Sequence, residues 1–141
     1  MGAEEKARAV IDTNVFISAI LFGGLPAQLL MQCQKEEIIF LISLPILEEY
    51  IHTLSYPKFK LSKERIKEII QEELLPFVEI VSVKTMIPLI HDDPDDNKFL
   101  ECALDGRAGY IISGDFHVLK LKEFRGILVV TVKEFLEDRC D

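Results

Sequence analysis

Residues 9–16 read Ala-Val-Ile-Asp-Thr-Asn-Val-Phe. An apolar run ends at one carboxylate, Asp12, two small polar residues follow, and the chain then turns apolar again. Residues 8–11 read as a short buried strand, and 14–22 as a helix broken by Gly23 and Gly24. An aspartate at such a junction has two readings. As a helix N-cap it would accept a hydrogen bond from an early amide of the helix. Alternatively, it binds a cation, because ligands of open α/β sheets sit outside the carboxyl ends of the strands. The choice depends on whether the remaining sequence builds such a sheet.

It does. Pro26 sits at the start of a second helix, 26–34. Residues 37–42, EIIFLI, are continuously apolar, as a parallel strand covered on both faces should be. Ser43 is placed to cap a helix ending at Leu54, with Pro45 in its first turn. Ser62 caps a further helix, 63–75. Strands follow at 77–83, 109–112 and 127–132, and helices at 95–105, 116–121 and 133–138, with Gly106 closing the first of these three helices. Strands alternate with helices throughout, so the expected fold is a three-layer α/β/α architecture around a central parallel five-stranded sheet. The 141 residues are expected to form one domain.

Composition narrows the function. The formal net charge of −8 disfavours a protein that holds nucleic acid by bulk electrostatics, but a carboxylate-lined metal site is itself acidic. Cys33, Cys102 and Cys140 lie far apart with no Cys-x-x-Cys pair, which argues against zinc and fits a reducing, cytoplasmic setting. No apolar run reaches the length of a membrane span, and residues 1–8 are charged rather than signal-like.

Several acids follow strands. Asp12 follows the first directly, and Asp115 follows the fourth in IISGDFH, so a parallel sheet brings both to one edge. The stretch HDDPDDNKF holds four aspartates within residues 92–96. Helix capping accounts for some of them, with Asp93 as N-cap and Pro94 in the first turn. At ~100° per residue, Asp96 shares a face with Phe99, Leu100 and Ala103, at the mouth of its helix. A buried ion there is costly unless paired or coordinated. In the helix LPILEEYIHTL, Glu48 and Glu49 flank the apolar stripe at nearly equal angles, and a helical wheel cannot choose between them. Lys58, Lys60, Lys63, Arg65 and Lys67 stand against a single Glu64 in KFKLSKERIK. Such a run is an ordinary solvated face or a rim that contacts a phosphate backbone.

Five segments occur in order: Asp-Thr-Asn after a strand, Leu-Glu-Glu-Tyr, Tyr-Pro-Lys-Phe, Asp-Asp-Asn-Lys-Phe-Leu-Glu-Cys-Ala-Leu, and Ile-Ser-Gly-Asp. Together they resemble a PIN domain, more narrowly the VapC-like toxins of toxin–antitoxin systems, from about Ala9 to Val132. The resemblance implies an endoribonuclease that hydrolyses RNA phosphodiester bonds with Mg²⁺ or Mn²⁺ held by clustered carboxylates. It carries the four acids onto Asp12, Glu49, Asp96 and Asp115, with Glu48 the alternative to Glu49. Thr13, Asn14 and Ser113 match small polar positions that support the site. It further implies an antitoxin protein partner and a homodimer. The competing function is a non-catalytic PIN-type module that binds metal, RNA or a protein. A phosphatase of the haloacid dehalogenase type would want a second Asp where Asn14 stands.

Overall fold

The computed structural model describes residues 6–87 and 97–139. The chain runs β1 (Ala7–Ile11), α1 (Thr13–Leu21), α2 (Gly24–Gln34), β2 (Ile38–Ile42) and α3 (Leu44–Leu54), then a 3-10 turn at Pro57–Phe59 and α4 (Lys63–Glu68). After β3 (Val78–Ile80) come α5 (Asn97–Asp105), β4 (Tyr110–Ile112), α6 (Phe116–Leu119), β5 (Glu123–Phe124), β6 (Ile127–Val130) and α7 (Val132–Arg139). The strands form one sheet in the order β3-β2-β1-β4-β6-β5. Successive side chains on a strand point to opposite faces. Ala9, Val10 and Ile11 are nevertheless all buried, so helices cover both sides of β1, as the three-layer reading requires.

Five strands pair in parallel, with Val10 opposite both Leu41 and Ile111, and Ile112 opposite Val130. The sheet has a sixth strand as well, because β5 folds back antiparallel on β6. Arg125 and Gly126 both take positive φ in the two-residue turn between them, the geometry that matches the twist of a tight hairpin. Two residues are too few to show an alternating pattern, so this strand was not expected.

Other differences have local causes. The helix expected over 63–75 is α-helical only to Glu68, then π-helical over Ile69–Leu74 and 3-10 over Leu75–Phe77. Pro76 lacks an amide hydrogen and cannot continue an α-helical ladder. The wider turn buries Ile69 and Leu74 together, while Gln34 Nε2 donates to the Glu73 carbonyl at 3.0 Å. The last parallel strand stops at Val130 because Thr131 and Glu134 form a reciprocal cap. The Thr131 amide donates to Glu134 Oε1 at 2.8 Å, and the Glu134 amide donates to Thr131 Oγ1 at 3.1 Å. The strand expected over 77–83 shortens to Val78–Ile80, and the following segment is tied to α5 instead. Asp105 accepts from the Lys84 and Thr85 amides and from Thr85 Oγ1.

Gly106 does end α5, but not by taking a left-handed conformation. Arg107 holds the positive φ, and the Ala108 amide reaches back to the Ala103 carbonyl at 2.8 Å, as in a Schellman ending. Gly106 is needed for close approach. A Cβ there would sit 2.9 Å from the Cys102 carbonyl oxygen and 2.9 Å from Val81 Cγ2. Gly106→Ala should therefore destabilise the protein by about 1–3 kcal/mol through overpacking. Arg107→Gly should stabilise it by about 1 kcal/mol by removing the left-handed penalty. Urea unfolding midpoints of the two variants should move in opposite directions.

Candidate active site

The chain runs outward from β1 through β2 to β3, then returns to place β4 on the other side of β1. The strand order reverses between β1 and β4, and a crevice opens beyond the carboxyl ends of such a pair. Asp12 follows the last residue of β1, and Ser113 follows the last residue of β4. The Asp12 amide donates to the Ile112 carbonyl at 2.9 Å, which keeps the two strand ends side by side.

Asp12 occupies the N-cap position of α1, and its carbonyl accepts from the Val15 and Phe16 amides. Its carboxylate makes no cap hydrogen bond. Oδ2 instead accepts from Ser113 Oγ at 2.6 Å, and the side chain is buried. Burial pushes the Asp12 carboxyl above the ordinary aspartate value; the Ser113 hydroxyl and the Thr13 amide pull it partly back, and the charges of Asp115 and Glu49 raise it again. The opening stretch therefore ends in a strained acid rather than a capping one.

Asp115 lies at the same edge, half-buried. Its amide donates to Ser113 Oγ at 2.9 Å, and Oδ1 caps α6 by accepting from the His117 amide at 2.8 Å. Ser113 thus links the two aspartates through one hydroxyl. Glu49 arrives from α3, whose orientation Tyr50 fixes. The Tyr50 hydroxyl donates to the Ile11 carbonyl, one residue before Asp12, and its ring stacks on Phe16 at 4.3 Å. With Tyr50 turned inward, Glu49 faces the site and Glu48 is exposed. Thr13 Oγ1 donates to Glu49 Oε2, and Lys98 Nζ from α5 pairs with Glu49 Oε1.

Of the seven residues expected at the site, Asp12, Thr13, Glu49, Ser113 and Asp115 come together. Asn14 is exposed on α1 and makes no hydrogen bond to these acids. Asp96 lies outside the described residues. Sequence reasoning missed Lys98 and the role of the Tyr50 hydroxyl. Lys98 is the one lysine or arginine in HDDPDDNKF, which was its signal. Tyr50 stands in Leu-Glu-Glu-Tyr, where the resemblance used it to favour Glu49, but its hydrogen bond to the Ile11 carbonyl was not foreseen. His52 is exposed.

The basic cluster does not act as a unit. Lys58 lines a groove of about 600 Å³ with Asn14, Ser18 and Phe22. Lys63 and Lys67 face a different, apolar groove beside Ile51, Ile66 and Ile70. Arg65 pairs with Glu68 and with Glu73 at 2.9 Å, so its charge is satisfied within the protein and it is no longer a rim candidate.

The sequence profile of the PIN domain matches residues 8–117, from β1 into α6. The chain belongs to the PIN-domain family. It is 33% identical over 145 aligned positions to the uncharacterized protein MJ1680 of Methanocaldococcus jannaschii, covering 94% of this chain and 92% of that protein. PIN domains are a nuclease-type family, which sets the coarse class as hydrolase. Among the described residues of this PIN domain, no three His, Cys, Asp or Glu side chains stand close enough to enclose a metal ion. The donor chemistry at the crevice still fits a hard divalent cation. It consists of carboxylate oxygens, one of them on a buried acid whose ionisation is opposed by its neighbours.

The elevated Asp12 value has a defined sign. A carboxyl raised in the folded state contributes stability below the unfolded pKa, and loses it as pH rises through the folded value. Asp12→Asn should therefore raise the melting temperature in EDTA near pH ~8, and the gain should shrink as pH falls through the raised folded value, vanishing near pH ~3, where the wild-type carboxyl is protonated in both states. Tyr50→Phe should cost about 1–3 kcal/mol by removing a donor from a buried carbonyl. Thermal and urea melts measure both effects.

Proposed function

We propose that the protein is a metal-dependent endoribonuclease, with Asp12, Glu49, Asp96 and Asp115 as its acids and RNA as its substrate. The observation that carries this reading is the convergence of Asp12 and Asp115 on one serine hydroxyl at the topological switch of the sheet, with Glu49 turned toward them.

Asp12 and Asp115 are the residues that would hold the cation directly. A bound Mg²⁺ or Mn²⁺ would polarise the phosphoryl oxygens and lower the pKa of an attacking water. Ser113 fixes the rotamer of Asp12 and the backbone of Asp115, whose side chain is held by the His117 amide. Thr13 and Lys98 hold Glu49 at the crevice edge, where its carboxylate can orient a water. Lys98 places positive charge beside the crevice and can move to a phosphate oxygen, releasing Glu49. Lys58, which shares a groove with Asn14, forms the nearest part of the basic rim. By resemblance, the products would carry a 5′-phosphate and a 3′-hydroxyl. On the same ground, the chain would be the cytoplasmic toxin of a toxin–antitoxin pair, with an antitoxin and a second copy of itself as partners. The engagement of Glu49 by Lys98 supports a second reading, a PIN module that binds RNA without cutting.

Cleavage assays on unstructured and structured RNA separate the two readings. The wild type should cut with Mn²⁺ or Mg²⁺ and stop in EDTA, while Asp12→Asn and Asp115→Asn should fall to background. Ser113→Ala, which only supports the acids, should lose about 10–100-fold. Equal cutting by wild type and Asp12→Asn would assign the activity to a contaminant. RNA binding without cutting in either metal would favour the second reading.

A further inference from the structure

A row of aromatic rings leads away from the carboxylates. Phe22 caps the end of α1 and is 71% exposed. Its ring meets Phe59 edge-on at 6.5 Å. The Phe59 and Tyr56 rings lie within 6° of parallel, with centroids 6.4 Å apart. Tyr56, itself 40% exposed, then meets His52 at 5.4 Å. Lys58 Nζ lies 5.2 Å from the centre of the Phe59 ring, a cation–π contact. Phe22, Lys58 and Phe59 share their groove with Asn14, two residues beyond Asp12. Among the described residues no carboxylate lines it, although the chain carries a net charge of −8.

Exposed aromatic faces normally cost solubility and need a reason. Faces interleaved with lysines form the combination that binds single-stranded nucleic acid: rings stack on bases while cations follow the phosphates. A duplex offers no free base faces to such rings. A greasy peptide would find a better seat in the other groove, among Ile51, Ile66, Ile70 and Leu75.

We infer that the groove of Asn14, Ser18, Phe22, Lys58 and Phe59, continued by Tyr56, is a stacking subsite for unpaired RNA bases that feeds a single strand toward Asp12. This deepens the nuclease reading by naming the form of the substrate, and rests on it only for the identity of the site that the strand reaches. Phe22 and Tyr56 supply the exposed faces. Lys58 supplies a phosphate contact and makes binding salt-dependent.

The test is fluorescence anisotropy in EDTA, where no metal-dependent cutting interferes. The probes are labelled oligo(A) of roughly twelve nucleotides, an abasic strand of equal length, and an RNA duplex. Wild type should bind oligo(A) about 10-fold more tightly than either control. Phe22→Ala and Tyr56→Ala should each weaken oligo(A) binding by about 10-fold, leave the abasic strand unaffected, and melt like wild type. Phe22→Trp should retain binding. Equal affinity for the abasic strand, or no loss in Phe22→Ala, would overturn the proposal and leave only a phosphate contact. A change of oligomeric state in Phe22→Ala with RNA binding intact would overturn it in favour of a protein interface. Failure of the nuclease reading is separable: ring-dependent binding of oligo(A) without cleavage in any metal keeps the subsite and removes the enzyme.

Discussion

A carboxylate at the end of a strand buried on both faces has few ways to remain ionised, and this constraint organises the crevice. Asp12 cannot reach bulk water easily, and it sits among other acids. The fold answers with one hydroxyl from the neighbouring strand end and one amide from its own helix, which offset only part of the cost. Everything nearby then follows. Ser113 must sit where β4 stops, so β4 must lie next to β1. That adjacency requires the chain to reverse direction in the sheet, which creates the crevice itself. The position of Glu49 is set from the same point, since Tyr50 is anchored on the carbonyl just before Asp12.

Much of this was legible in the sequence because it depends on periodicity and position. The continuous apolar character of EIIFLI and the strand-to-helix junctions at Asp12 and Asp115 encode the parallel sheet and its occupied edge. What escaped was decided by contacts between distant residues. The helical wheel left Glu48 and Glu49 open and only the resemblance favoured Glu49; its physical reason, the Tyr50 hydroxyl finding a backbone acceptor on β1, is a contact no wheel shows. Lys98 had no assigned role, and it is the packing of α3 against α5 that brings it to Glu49. Gly106 was assigned the usual helix-ending role, yet Arg107 bears the left-handed backbone and Gly106 makes room for Val81 and Leu41. The π-helical stretch and the two-residue β5 were hidden for a related reason: both are local adjustments to Pro76 and to a tight turn, too short to impose a period.

The basic segment shows the difference between composition and geometry. As a string, KFKLSKERIK is one cluster of five cations against one acid. Folded, it divides three ways. Lys58 lies over a ring beside the crevice, Arg65 is held by two glutamates, and Lys63 and Lys67 turn toward an apolar groove. Only Lys58 of the cluster therefore shares the groove of Asn14, together with the rings of Phe22 and Phe59.

The charge arrangement also divides the roles expected of a metal-dependent site. Glu49 has a resident counter-ion in Lys98, whereas among the described residues Asp12 accepts from neutral donors. Under the proposed function, Asp12 and Asp115 would hold the cation, since Glu49 already has Lys98 beside it. The Lys98 ammonium limits repulsion at Glu49 in the free protein and would be available to a phosphate if a cation took over that task. A neutral residue at position 98 would leave Glu49 uncompensated in the free protein and supply no cation to a phosphate. The ion pair between α3 and α5 is thus better understood as part of the crevice's electrostatics than as a brace between helices, since a partly exposed pair adds little to stability on its own.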